Sequence, residues 1–77
     1  MDISVNTLVL AIKAIDRDIK RHEGLLEDEA LSDEDAELYG QTVLDLSRAL
    51  SELGGAYQAA RRDHPELPAL EDWIDAE

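Results

Sequence analysis

Apolar or bulky side chains recur at alternating steps of three and four along two separate stretches of this chain, and no other feature restricts its folding as much. Val5, Leu8, Ile12, Ile15, Ile19, His22 and Leu26 fall in one register, and Ala36, Tyr39, Val43, Leu46, Leu50, Leu53, Tyr57 and Ala60 fall in a second. The spacing is that of a heptad seam, narrower than the stripe of an ordinary globular helix. Two such helices joined by a short acidic segment predict an all-α antiparallel helical hairpin over residues 1–63. The expected bounds are a first helix over about 4–28, a turn over about 29–32 and a second helix over about 33–63.

The end of the first helix has two readings. Lys20, Arg21 and His22 followed by Gly24 look like a last turn with a glycine at C′. Leu26, however, keeps the heptad phase, and Gly24 falls on the outer face, so continuation to about residue 28 is preferred. The second helix opens on Ser32 as N-cap, with Asp33, Glu34 and Asp35 in its first turn against the positive helix end. It is stopped by Pro65, which disfavours helical geometry at His64. Gly40 and the pair Gly54 and Gly55 lie off the seam, where they mark a local weakness or a close approach by another element.

At 77 residues with no cysteine, the chain is one domain with a small core and nothing covalent to staple it. The missing thiols fit a reducing compartment. The apolar run from Leu8 to Ile12 is too short for a membrane span, and a cytoplasmic location is expected. Nineteen acids against seven bases give a formal charge of −12, which repels nucleic acid and anionic membranes and attracts a basic protein partner. Most bases can pair at helical spacing, Asp16 with Lys20 and Asp18 with Arg21 or His22, and so read as a solvated face.

Two candidate surfaces follow. Glu27, Asp28, Glu29, Asp33, Glu34 and Asp35 crowd the tip of the hairpin. The first three lie at the carboxyl end of a helix, where the macrodipole disfavours them by about 0.3 to 1 kcal/mol each. The second surface is apolar. Leu10, Leu38 and Leu44 fall outside the positions a simple hairpin buries, so the tail, a second copy or another protein must cover them. A homodimer forming a four-helix bundle is the first choice, because two-fold dimers are the commonest oligomers.

Residues 64–77 differ in texture, with two prolines, no base, and Leu67, Leu70, Trp73 and Ile74 at helical spacing. A short helix over about 68–75 is expected. Trp73 and Ile74 either fold back to cap the open end beside Val5 and Tyr57, or anchor a partner as a helix in a groove. No nucleophile elbow, phosphate loop or metal-ligand spacing is present, and His22 and His64 belong near opposite ends of the long axis. The sequence therefore implies no enzyme, no cofactor and no metal. Its leading reading is a small interaction module: an adaptor, chaperone or inhibitor. An acidic mimic or immunity-type antagonist of a basic nucleic-acid-binding protein and a subunit of a structural assembly are the alternatives.

Overall fold

The computed structural model describes residues 3–74, of which 79% are helical, with no strand among them. Three helices follow in chain order, α1 (Val5–Leu26), α2 (Asp33–Asp63) and α3 (Glu71–Ile74). The two long helices pack against each other, and α3 packs against α1.

Side-chain caps set both long-helix starts. Ser4 accepts from the Thr7 amide at 3.1 Å and donates to the Thr7 hydroxyl at 2.9 Å. Ser32 accepts from the Asp35 amide at 3.2 Å, as expected of its position. The first helix ends at Leu26 rather than near residue 28. Asp28 explains the difference, because its carboxylate accepts from the Ala30 amide at 2.9 Å. This local turn competes with a further helical residue. Gly24 stays inside the helix, and no described glycine has a positive φ.

All residues of the two heptad registers are buried or half-buried. The best-buried apolar residues, Leu8, Val9, Ile12 and Tyr57, form a core toward the open end of the hairpin, with Val5, Leu50, Leu53, Leu67, Leu70, Trp73 and Ile74 packed around it. Toward the tip the seam continues through His22, whose ring meets Tyr39 edge-on at 5.8 Å. His22 Nδ1 lies 2.9 Å from the Asp18 carbonyl.

The tail folds back. Tyr57 is fully buried, and its hydroxyl donates to the Pro68 carbonyl at 2.5 Å while accepting from the Trp73 indole at 2.7 Å. The last helix is shorter than the expected 68–75. Tight turns from Asp72 to Ala69 and from Trp73 to Leu70 form its start, and the helix covers only Glu71–Ile74. Residue 75 lies outside the described residues. Lys13 Nζ sits 5.5 Å from the centre of the Trp73 ring, and Lys20 Nζ donates to the Ile74 carbonyl at 3.3 Å.

α2 runs unbroken through its three glycines. Gly54 is a point of close approach, since a Cβ there would stand 3.2 Å from Leu70 Cδ2, whereas a Cβ on Gly55 would meet nothing within 4 Å. Gly55→Ala is expected to stabilise the protein by about 0.5 to 1 kcal/mol through helix propensity, with Gly54→Ala gaining less because Leu70 must give way. Tyr57→Phe is expected to cost about 1 to 3 kcal/mol, because the Trp73 indole and the Pro68 carbonyl lose a common partner. Denaturant unfolding followed by circular dichroism measures all three.

Candidate functional site

Leu10, Leu38 and Leu44 are the most exposed large aliphatic side chains, at 59%, 60% and 60%. They do not form one patch. At about 100° per residue, Leu38 and Leu44 stand roughly 120° apart around α2, and Leu10 lies on the outer side of the other helix. The two leucines of α2 belong to opposite flanks of the hairpin.

The flank of Leu44 is the one the tail uses. Here Ser47, Ser51, Gly54 and Gly55 line an open groove of about 430 Å³ beside Leu70. On α1 the same flank presents Lys13, Asp16, Arg17 and Lys20 around Trp73. Trp73 and Ile74 are half-buried against the core, so the structure sets them inside this flank.

The flank of Leu38 carries a groove of about 370 Å³ at the open end, lined chiefly by Ile3, Val5, Leu8, Leu53, Ala56 and Ala60. Sequence reasoning did not single this groove out. Ile3 is 44% exposed but precedes the N-cap, outside any helical register. The alanines carry too little hydrophobicity to stand out in a periodicity search. The only available signal was that Ala49 and Ala56 share a line with Leu38.

At the other end, Glu27, Asp28, Glu29, Asp33, Glu34 and Asp35 are all exposed. They gather where the C-terminus of α1 meets the N-terminus of α2, two helix ends of opposite polarity. Asp28 bonds to the Ala30 amide. The closest described ion pairs lie elsewhere, Lys20 to Asp16 at 3.1 Å and Arg21 to Asp18 at 2.8 Å. Among the described residues no group of three or more His, Cys, Asp or Glu side chains is arranged to hold a metal ion, and no helix is long and apolar enough to cross a membrane.

No known protein family, curated protein or solved structure matches this chain. The functional argument therefore rests on these surfaces. Glu27 caps α1 in helical geometry with its N–H bonded to Gly24 and Leu25, so its carboxylate meets the negative helix end. Glu27→Gln combined with Glu29→Gln is expected to raise the melting temperature at low salt, by a few tenths of a kcal/mol per residue. The gain should fade as salt is added, and thermal melts at two ionic strengths measure it.

Proposed function

We propose that this chain is a non-enzymatic protein–protein interaction module, an adaptor, chaperone or inhibitor that acts in the cytoplasm through apolar helix surfaces and itself associates as a four-helix dimer. The supporting observation is the aliphatic surface the two helices leave uncovered, with Leu10, Leu38 and Leu44 each about 60% exposed. A helical layer buries its apolar side by packing on a second layer. α3, a single turn, covers part of one flank only.

A module of this kind binds through desolvated aliphatic contacts, with Leu10 and Leu44 as the exposed anchors left beside the tail. Such binding resists salt, because area removed from water does not depend on screening. The acidic tip supports a second reading, an antagonist of a basic nucleic-acid-binding protein. Three of its carboxylates oppose the α1 macrodipole, and a cationic partner would relieve that repulsion.

Stepwise elution of partners from the immobilised chain separates these readings. Expected under the first is retention through high salt and loss of binding in a Leu10→Glu, Leu44→Glu variant. A partner that leaves at moderate salt, and is lost when Glu27, Asp28, Glu29, Asp33, Glu34 and Asp35 are neutralised, would establish the second and sink the first.

A further inference from the structure

α3 and the strand of chain leading to it lie against Lys13 and Lys20 of α1 and against Gly54 of α2. The opposite flank is bare among the described residues. On that flank Leu38, Ala49 and Ala56 follow at steps of 11 and 7, which keeps all three within about 20° of one line along α2. The line begins with a large exposed knob near the tip, Leu38 at 60% exposure. It ends in the groove between Ile3, Val5, Leu8, Leu53, Ala56 and Ala60, with Glu52 also among its lining residues.

We propose that this bare flank seats a second copy of the chain, with Leu38 of each copy filling the Ile3–Ala56 groove of the other. The inference rests on the self-association reading above and assigns its surface. A two-fold interface must be self-complementary, so that a knob on one copy meets the hole on the other and the reverse. Leu38 and Ala56 satisfy that requirement on one helix. With the two α2 helices antiparallel, the pairing puts the two-fold axis level with residue 47, midway between Asp45 and Ala49, and the small Ala49 side chain lets the helices approach there.

Area supports a second copy as the occupant. A compact monomer of 8.6 kDa exposes about 4,700 Å² by size scaling, and this chain exposes 5625 Å². The surplus, about 900 Å², is close to the roughly 800 Å² that each partner contributes to a standard interface. A second layer also covers the half-buried seam residues Ile15, Leu46 and Leu53 from that side.

Charge sets the signature that separates this partner from a basic one. Each copy carries −12, and Asp45 and Glu52 border the same line, so two copies repel through water. The dimer should tighten as salt screens that repulsion, whereas a complex with a basic protein weakens.

Sedimentation equilibrium of the full chain at low and high salt, with Ala56→Glu and Leu44→Glu beside the wild type, provides the first test. Expected is a wild-type dimer that tightens with salt, an Ala56→Glu dissociation constant raised more than about tenfold by a buried unpaired carboxylate, and a Leu44→Glu value close to wild type. Because Ala56→Glu could also disturb folding, two single-cysteine variants of this cysteine-free chain supply a second test. A short bismaleimide should link Ala49→Cys into covalent dimers and leave Gly55→Cys, on the tail flank, unlinked. A wild type that stays monomeric throughout overturns self-association itself. A dimer that is broken by Leu44→Glu and spared by Ala56→Glu, or linked through Gly55→Cys and not Ala49→Cys, overturns the surface assignment alone.

Discussion

The fold depends on giving a buried tyrosine hydroxyl both of its partners. Among the described residues Tyr57 is the largest fully buried side chain, with Ile12 beside it. Its ring supplies much of the apolar contact of a small core, but its hydroxyl cannot be left without hydrogen bonds. The hairpin alone offers none, because the backbone groups around it are taken by helix. The tail supplies an acceptor at Pro68 and a donor at Trp73. One satisfied oxygen thus ties the returning chain to the core and marks which flank of the hairpin is covered.

Charge assists that choice. Lys13, Arg17, Lys20 and Arg21 all lie on α1, and from sequence they read as a solvated face. In the structure two of them serve the tail, Lys13 over the Trp73 ring and Lys20 at the Ile74 carbonyl. Both contacts follow electrostatic preference, a cation on an aromatic face and a cation at the carboxyl end of a helix. The acidic tail, with Glu66, Glu71 and Asp72, returns along the helix that holds four of the seven bases in a chain of net charge −12.

The hairpin itself was legible because a period of three and four is a direct imprint of helix geometry on burial. The start of α2 was legible too, since Ser32 announces its cap. What escaped sequence reading depended on contacts between distant parts of the chain. The docking of the tail rests on a hydroxyl eleven residues upstream of Pro68, which no local propensity encodes. The Ile3–Ala56 groove was invisible for another reason. Val5, Leu8, Leu53 and Ala60 line it and were read as seam, but the hollow they leave beside Ile3 and Ala56 carries no hydrophobic signal of its own.

Covering one flank and not the other has a consequence for what the molecule can do. If the tail packed across the seam on both sides, the hairpin would be a closed minimal domain with little surface to offer. Anchored by Tyr57 on one side, it leaves a layer whose other side is still unsatisfied. Leu10 and Leu44 lie outside that side, and the acidic tip lies beyond its end. A second copy seated there would leave both free, so self-association and recognition of another protein do not compete for the same residues. The two demands on the chain, a larger core and an accessible binding surface, are then met on different faces of the same two helices.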